Sequence, residues 1–313
     1  MALALNELEA TTQEFWDKDP KVQDVFYKGN VLIGTMMKGA KKWDGGTYIR
    51  QVLDYGQAMG GDFNASSTFN TNKVETMTAA RWTPAYYYEP VVYDIDDMVK
   101  NAGTAQEVDI INQKLGKAQK HIRWNLAYDL YNSTGYGTSG KKLVGLLGMI
   151  STSSTYGGIA VADLEEWVAG SVVSVAAPIT FTVIDNLLTN CLVGDDAGDE
   201  PDLIVTTRTL FSSIRNQTMP HLRLEHGGLA DMGFKNVDYI GNPIVRDYAC
   251  PSGYMFTINR NYMGFRVHKD YNFKRTPWEK PIGQEKYACY LMVVLQMICK
   301  RRDAHGVQSG LTA

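Results

Sequence analysis

The chain has 313 residues, of which 44% are hydrophobic and 21% charged, and its formal net charge is −3. This length and composition fit one large globular domain or two ordinary ones with a substantial core. The small net charge shows no strongly basic footprint, which argues against tight autonomous binding to nucleic acid but allows passive contact with it.

Targeting segments and cysteine pairs are not evident in the sequence. The N-terminus lacks the positive flank and continuous apolar centre of a signal peptide, and no stretch reaches the ~20 apolar residues that span a bilayer. The cysteines, Cys191, Cys250, Cys289 and Cys299, form no CxxC pair. We interpret them as reduced, buried side chains of a soluble protein made in a reducing compartment, without a metal site or a membrane partner.

The first part of the chain predicts two extended features. Residues 1–40 are polar and mixed, which is typical of an N-terminal arm and not of a core element. In 41–83, strand-like runs at 47–55 and 74–82 flank a tip at 56–72 that is rich in Gly, Asn, Ser and Thr. Because this two-stranded projection has little apolar material to bury, we expect another surface, such as a neighbouring subunit, to order it.

One long amphipathic helix is predicted at 104–132. Thr104 and Glu107 have the spacing of a capping box. One face is apolar: Val108, Ile111, Leu115, Ala118, Ile122 and Leu126. The remaining circumference is basic: Lys114, Lys117, Lys120 and Arg123. These cations indicate either a solvated face or contact with acidic neighbours or enclosed nucleic acid.

The rest of the chain mixes both element types. A loop or insertion at 151–180 precedes a helix at 182–192, and a buried strand at 203–207 precedes a second helix. Gly241 and Asn242 predict a hairpin turn, and a long apolar strand occupies 287–299. The predicted class is therefore α+β.

Three motifs that suggest chemistry each have a plainer interpretation. Residues 135–141 almost match a phosphate-binding loop, but Lys142 replaces the required hydroxyl and a helix precedes the loop. His221, Glu225 and His226 resemble a zinc motif with one residue too many. The acidic run 195–200 lacks the ligand pattern of an EF-hand. We predict no enzyme, no catalytic residue and no cofactor.

Taken in chain order, the predicted elements resemble the major capsid proteins of tailed bacteriophages, which have the Hong Kong 97-type fold. The segments that carry the resemblance are 203–211 (LIVTTRTLF), 237–246 (VDYIGNPIVR), 249–253, 265–268 and the basic pair Arg301–Arg302. The long charged scaffolding segment of some relatives is missing from the N-terminal part. Scaffolding would then come from a separate protein, or the sequence is a processed form.

The resemblance implies a domain order and a function. The expected parts are an N-terminal arm (1–40), an extended β loop (41–83), a peripheral domain with the spine helix (84–164), an axial domain (165–267) and a return strand with the C-terminal tail (268–313). The implied function is a self-assembling head protein that forms hexamers and pentamers of an icosahedral shell around double-stranded DNA.

Further expectations follow from the same resemblance. The expected partners are further copies of the chain, scaffolding, portal and decoration proteins, and DNA held without sequence preference at Lys114, Lys117, Lys120 and Arg123. The protein would be made in the host cytoplasm and reside in the virion. Two alternatives stay open: an encapsulin-like nanocompartment, and a metal-dependent hydrolase built around His221 and His226.

Overall fold

A computed structural model of the chain describes most residues from 29 onward. The described residues are 29–56, 60–62, 64, 68, 72–94, 96, 99, 110–194, 199–218, 236–281 and 283–313. Their helices are α1 (Val31–Lys38), α2 (Ile110–Asn132), α3 (Leu146–Met149), α4 (Phe181–Thr189) and α5 (Arg208–Thr218). Their strands are β1 (Lys41–Trp43), β2 (Ile49–Asp54), β3 (Met77–Trp82), β4 (Ala85–Asp94), β5 (Ser171–Pro178), β6 (Leu203–Thr206), β7 (Asn236–Tyr239), β8 (Asn242–Arg246), β9 (Met255–Ile258), β10 (Met263–His268), β11 (Lys274–Arg275), β12 (Lys286–Cys299) and β13 (Gly306–Thr312). The predicted mixture of helices and sheets is confirmed.

The 14-residue strand β12 is the centre of a five-stranded sheet. One edge of β12 pairs antiparallel with β4, from Lys286 opposite Asp94 to Leu295 opposite Ala85. Its other edge pairs with β11 and β10, and β10 takes β1 as a parallel neighbour. Every residue from Val293 to Cys299 is buried, which explains why this strand reads as one continuous apolar run.

A six-stranded sheet has the order β5-β13-β9-β6-β8-β7. All four residues of β6 are buried because both faces of the sheet are covered. Leu203 and Val205 belong to the main core, which also includes residues of the five-stranded sheet and α2, whereas Ile204 packs in a second cluster with α4 and α5. The period of two along a strand sends successive side chains into these two clusters.

Helix α2 confirms the predicted long helix from residue 110 onward. Its 23 residues span about 34 Å at 1.5 Å per residue. Ala118, Ile122 and Leu126 of the predicted apolar face are buried in the main core. Thr104 and Glu107, the predicted capping box, lie outside the described residues.

Helix α1 corrects the interpretation of residues 1–40 as an arm throughout. Val31, Leu32, Ile33 and Met36 are all buried in the main core. Because this short segment is apolar on nearly every side, it lacks the one-sided periodicity that identifies a surface helix. Residues 1–28 lie outside the described part, so the arm prediction there is untested.

Two strands lie in a different sheet from the one that the predicted domain boundaries imply. Strand β10 falls in the predicted axial domain, 165–267, but it pairs with β1 and β12 in the five-stranded sheet. Strand β13 falls in the segment predicted as return strand and C-terminal tail, 268–313, but it lies between β5 and β9 in the six-stranded sheet. Strand β5 itself occupies a segment that was predicted to be a loop. Pairing over a large sequence separation decides all three placements, and local pattern does not contain that information.

The carboxylate of Asp247 joins α1, α2 and the six-stranded sheet. It accepts hydrogen bonds from Asn30 Nδ2 (2.7 Å), Leu32 N (3.3 Å), Tyr131 Oη (2.9 Å) and Ala249 N (3.0 Å). Its position at the N-terminus of α1 also suits the positive end of the helix dipole. Burial raises the pKa of Asp247, and these hydrogen bonds oppose that rise.

A buried arginine fixes the segment 149–167 against the end of β12. The side chain of Arg302 is 1% exposed. Its guanidinium donates to four backbone carbonyl oxygens, those of Met149 (2.7 Å), Ser151 (2.8 Å), Ser154 (3.4 Å) and Trp167 (2.7 Å). The guanidinium carbon also lies 5.5 Å from the ring centroid of Tyr156. The carbonyls and the aromatic ring together replace the water that this charge loses on burial.

Candidate assembly surfaces

Strands β2 and β3 form a separate antiparallel pair, which we call the hairpin, with Ile49 opposite Trp82 and Asp54 opposite Met77. The predicted two-stranded projection is therefore confirmed. Its predicted lack of core contact is wrong at the base, since Ile49, Leu53, Ala80 and Trp82 are buried in the main core. Only alternate residues of each strand point into the core. The apolar fraction of the whole segment therefore predicts less core contact than the hairpin makes.

A close backbone contact secures the base of the hairpin. Arg81 N donates to Gly157 O at 2.7 Å. A Cβ atom at Gly157 would lie 2.9 Å from the Cβ of Ala80, and this glycine has a φ of +62°. Both constraints favour glycine at this position.

The outward face of the hairpin is apolar in its middle. Val52 is 63% exposed and Met77 is 68% exposed. The same face carries Arg50, Ala79 and Arg81, because alternate residues of paired strands share one side. Most of the tip, 56–72, lies outside the described residues.

A second uncovered surface lies on the five-stranded sheet, on the side that faces away from α2. We call it the aromatic face. Its residues are Tyr86, Tyr88, Pro90 and Val92 of β4, Tyr290, Met292 and Val294 of β12, and the flanking Trp43 and Tyr271. Tyr88 is 67% exposed and Tyr86 is 53% exposed. A groove of about 680 Å³ runs along this face.

Cross-strand pairs order the aromatic face. Tyr88 lies opposite Met292, and Pro90 lies opposite Tyr290. The rings of Tyr88 and Tyr290 meet edge-on with centroids 6.2 Å apart. An uncovered apolar and aromatic patch of this kind is typical of a protein–protein contact surface.

No pattern in the sequence indicates the aromatic face. Residues 86–95 were predicted as a strand, which β4 confirms in the main. Apolar side chains alternate onto both sides of that strand, with Val91 and Tyr93 buried and Tyr88 exposed. A period of two therefore gave no indication of which side is left uncovered.

The inner side of β4 carries polar contacts to α2. Tyr87 Oη donates to Asp129 Oδ2 at 2.7 Å, and Lys142 Nζ lies 2.9 Å from Asp129 Oδ1. Burial first, and the bond to Asp129 second, raise the pKa of Tyr87. Further along, His121 Nδ1 lies 2.7 Å from Glu89 Oε2. These contacts fix α2 under the sheet, and Glu89 and His121 line one end of a small groove between the helix and β4.

The predicted nucleic-acid residues of α2 do not share one environment. Lys114 is half-buried and, with Lys117, lines a small groove beside β4. Lys117, Lys120 and Arg123 are exposed. The guanidinium of Arg123 lies 5.4 Å from the ring centroid of Phe273. Of the four predicted nucleic-acid residues, the three exposed ones therefore lie on one part of the circumference of α2.

The motifs that suggested an enzyme gain no support. The loop at 135–141 follows α2, and Lys142 is engaged by Asp129. His221, Glu225 and His226 lie outside the described residues, as do 195–198. Asp199, which follows that gap, accepts a hydrogen bond from Tyr262 Oη. Within the described ranges, no cluster of three His, Cys, Asp or Glu side chains could hold a metal ion.

The cysteines match the prediction of reduced, buried thiols. All four are free and buried. Burial raises the pKa of Cys191 to about 11 and that of Cys299 to about 12, so both remain thiols at neutral pH. No helix in the described ranges has the length and apolar character needed to cross a bilayer.

Solved structures with the same architecture are assembled shells. A chain of the cyanophage A-1(L) capsid asymmetric unit matches with a TM-score of 0.71 and 17% identity, over 99% of both chains. The capsid of the native GTA particle matches with a TM-score of 0.63 and 10% identity, over 99% of this chain and 100% of that one. The chain has a phage-capsid fold. The resemblance drawn from the sequence is thereby confirmed at the level of the fold.

The same architecture also occurs in an encapsulin. A chain of the holo-SrpI encapsulin complex from Synechococcus elongatus PCC 7942 matches with a TM-score of 0.63 and 11% identity, over 99% of this chain and 96% of that one. No family model and no curated protein matches the sequence. The capsid fold was therefore recognisable from the structure, while sequence identity to these neighbours is low throughout.

Proposed function

We propose that the chain is the major capsid protein of a tailed bacteriophage and that its role is structural, without catalysis. The fold, matched over nearly the whole chain by capsid structures, carries this proposal. The uncovered apolar surfaces agree with it. Copies would form hexamers and pentamers of an icosahedral shell around double-stranded DNA.

The subunit would consist of an arm, an extended loop, a peripheral domain and an axial domain. Residues 1–40 would include an arm that ends in the anchored helix α1, and 41–83 would be the extended loop. The peripheral domain, with α2 as its spine, would comprise 84–164 together with the five-stranded sheet. The axial domain would comprise 165–267 without β10 and with β13, and the remainder of 268–313 would return the chain to the periphery.

We infer that the hairpin of one copy lies over the aromatic face of the next. Val52 and Met77 on the hairpin and Tyr88 and Tyr290 on the sheet all leave apolar surface in water. Contact between them would bury that surface, which stabilises an interface by about 25 cal/mol for each Å². A face that meets a different face on its neighbour produces rings instead of isolated dimers.

The inner surface of the shell would face packaged DNA. Lys117, Lys120 and Arg123, with Lys114 beside them, would contact phosphates without sequence preference. Scaffolding, portal and decoration proteins would be further partners, and the subunit would be made in the host cytoplasm before it enters the virion.

A second candidate is the shell subunit of an encapsulin-like compartment, favoured by the match to the SrpI encapsulin. The contents of purified particles separate the two proposals. Nuclease-resistant double-stranded DNA supports the phage capsid, whereas a co-purified enzyme held by a short peptide supports the compartment.

Expression of the chain and electron microscopy of the product test the shell proposal. We expect wild-type protein to form capsomers or closed particles. The double substitution Tyr88→Asp and Tyr290→Asp should reduce particle yield at least about tenfold without unfolding the subunit, because it places charge on a surface that must become dry. Tyr248→Asp, at another tyrosine that is 62% exposed, is the matched control. Wild-type protein that stays monomeric over a range of salt concentrations contradicts the proposal.

A further inference from the structure

Two arginines face each other on the outward side of the hairpin. Arg50 of β2 lies directly opposite Arg81 of β3 in the antiparallel register. Both side chains are exposed. We call them the arginine pair.

This arrangement is unfavourable within one copy. Like charges directly opposite each other destabilise an antiparallel ladder. Among the described residues, none of the ion pairs supplies Arg50 or Arg81 with a carboxylate. Asp54, on the same face, is four residues further along β2 and lies opposite Met77. Among the described residues, the hairpin therefore holds two cations together with no carboxylate in an ion pair with either.

The neighbours of the arginine pair have the character of an interface. Val52, 63% exposed, comes next on the same side of β2, and Met77, 68% exposed, lies beyond it on β3. Arginine and methionine are enriched where proteins meet, and apolar surface beside a charged group is typical of such contacts. The pair thus lies at the edge of an apolar strip and is accessible to a partner.

A complementary surface exists on the same chain. The segment 160–167, which we call the acidic loop, presents Asp163, Glu165 and Glu166, all exposed. No ion pair in the described part of the chain uses these three carboxylates. Three exposed carboxylates without an ion-pair partner among the described residues form an acidic patch, and the charge of the arginine pair is complementary to it.

The acidic loop is held rigidly. Leu164 is 9% exposed and Trp167 is 4% exposed, so both anchor the loop in the core. Trp167 Nε1 donates to Tyr156 O at 2.9 Å, and Trp167 O accepts from Arg302 Nη1 at 2.7 Å. The carboxylates therefore project from a fixed backbone, which lowers the entropic cost of binding a partner.

The two patches do not meet within one copy. The segment before the acidic loop reaches the hairpin at Gly157, whose carbonyl accepts from Arg81 N at 2.7 Å. The carboxylates nevertheless make no ion pair with either arginine in the described residues. The complementarity is therefore available to a second copy.

We propose that the arginine pair of one copy binds the acidic loop of its neighbour. The inference rests on the proposed shell function and adds a specific partner surface to it. The hairpin and the acidic loop are different surfaces of the chain, so a contact between the hairpin of one copy and the acidic loop of the next is heterologous and can repeat around a ring. Charge of opposite sign also fixes the register in which the hairpin approaches its neighbour.

Charge reversal tests the proposal. The variant Arg50→Glu with Arg81→Glu, and the variant Glu165→Arg with Glu166→Arg, should each lower particle yield at least about tenfold, because like charges then meet at every contact of the ring. A chain with all four substitutions should recover assembly to within about threefold of wild type. Yield is measured by sedimentation and electron microscopy, and circular dichroism and thermal melting show that each subunit is folded.

A mixture shows that the contact joins different copies. Equal amounts of the two defective variants should form rings of six together, since alternate copies then present opposite charges to each other. A ring of five cannot alternate throughout, so recovery of the mixture is scored on hexamers. Arg208→Glu with Lys300→Glu, which reverses two exposed cations elsewhere, is the control for a general effect of charge.

Three results would overturn the proposal. The first is normal assembly of the arginine variant, and the second is failure of both the four-substitution chain and the mixture to recover. The third is unchanged assembly with a loss of duplex DNA binding, which would assign the pair to nucleic acid. In all three cases wild-type protein still forms particles, whereas a wild-type chain that never assembles refutes the shell function itself.

Discussion

Burial lowers the pKa of both Arg302 and His305, although these two residues, three positions apart, respond differently. Arg302 stays charged because the ordinary pKa of a guanidinium is far above neutral. His305 is 0% exposed and loses its charge, with its pKa lowered to about 3. The buried charge of Arg302 therefore depends on the carbonyl oxygens around it. The buried neutral ring of His305 makes the free energy of unfolding depend on pH.

Replacement of Arg302 by methionine should destabilise the subunit by about 3 kcal/mol, because the buried carbonyl oxygens of Met149 and Trp167 would lose their donor. Urea unfolding of the dissociated subunit measures this change. Arg301→Met is a matched control, since Arg301 is exposed and pairs with Asp303 at 2.9 Å. We expect it to cost less than about 1 kcal/mol. Equal effects of the two substitutions would contradict the role given to the carbonyls.

His305 should make the subunit less stable in mild acid. Its Nδ1 accepts from Asn259 N at 3.2 Å, and its Nε2 has no partner in the described residues. The unfolded chain takes up a proton below the ordinary pKa of 6.5, while the folded chain stays neutral until about 3. Stability is therefore complete above 6.5 and falls as the pH drops from 6.5 towards 3, by about 1 kcal/mol per pH unit.

Unfolding free energies of wild type and His305→Leu, compared at several pH values in this window, measure the effect. The variant should lose this component of the pH dependence. His268→Leu, at a half-buried histidine, should retain it. An unchanged slope in His305→Leu would show that other groups cause the acid sensitivity.

At the scale of elements, the hairpin combines an anchored base with an apolar outward face. Ile49 and Trp82 hold the base in the main core, whereas Val52 and Met77 remain in water. Folding and assembly should therefore depend on different parts of the same element.

Deletion of 56–72 should separate the two roles. The strands and their core residues remain, and shortening a surface loop changes stability by less than about 1 kcal/mol. We expect a folded subunit, by thermal melting, that fails to form particles in electron microscopy. Trp82→Ala should instead destabilise the folded monomer itself, by about 3 to 5 kcal/mol. Normal particles from the deletion variant would show that the tip is not needed between copies.

Long periodic elements could be predicted from the sequence, and short or two-sided ones could not. Helix α2 and strand β12 were predicted because each has a sustained pattern over many residues. Helix α1, with eight residues, and the exposed edge strand β5 have no such pattern. The order of strands depends on contacts between distant segments, so the placement of β10 and β13 was not accessible.

The assembly surfaces show the same limit. The hairpin was predicted from two strand-like runs around a polar, glycine-rich tip. Its role between copies was predicted from the scarcity of apolar material in the segment and from the resemblance to capsid proteins. The aromatic face and the arginine pair depend on which residues stand opposite each other, such as Tyr88 opposite Met292 and Arg50 opposite Arg81. Register of this kind is set by the folded chain, and no single strand contains it.

At the scale of the whole molecule, one core joins both sheets. The main cluster includes Leu126 of α2, Val293 of β12 and Val205 of β6. Such a continuous core favours cooperative unfolding of the described parts, while the edges of the sheets and the hairpin open locally.

Hydrogen exchange tests this distribution. In dissociated subunits, the amides of β6 and of Val293–Cys299 should exchange slowest, whereas β2, β3 and β5 should exchange faster. On assembly, β2 and β3 should gain protection at least about tenfold, because neighbouring copies then cover the hairpin. Mass spectrometry of peptides from both states measures the change. Equal exchange of the hairpin in subunits and particles would contradict its place between copies.

The position of β13 has a consequence for synthesis. Within the described residues, β5 pairs with no strand other than β13, which follows it by roughly 130 residues. A ribosome needs on the order of ten seconds to add that length. The six-stranded sheet therefore cannot close on a nascent chain until β13 has been translated. A nascent chain that still lacks β13 is an unfinished subunit, so it would not polymerise with its neighbours.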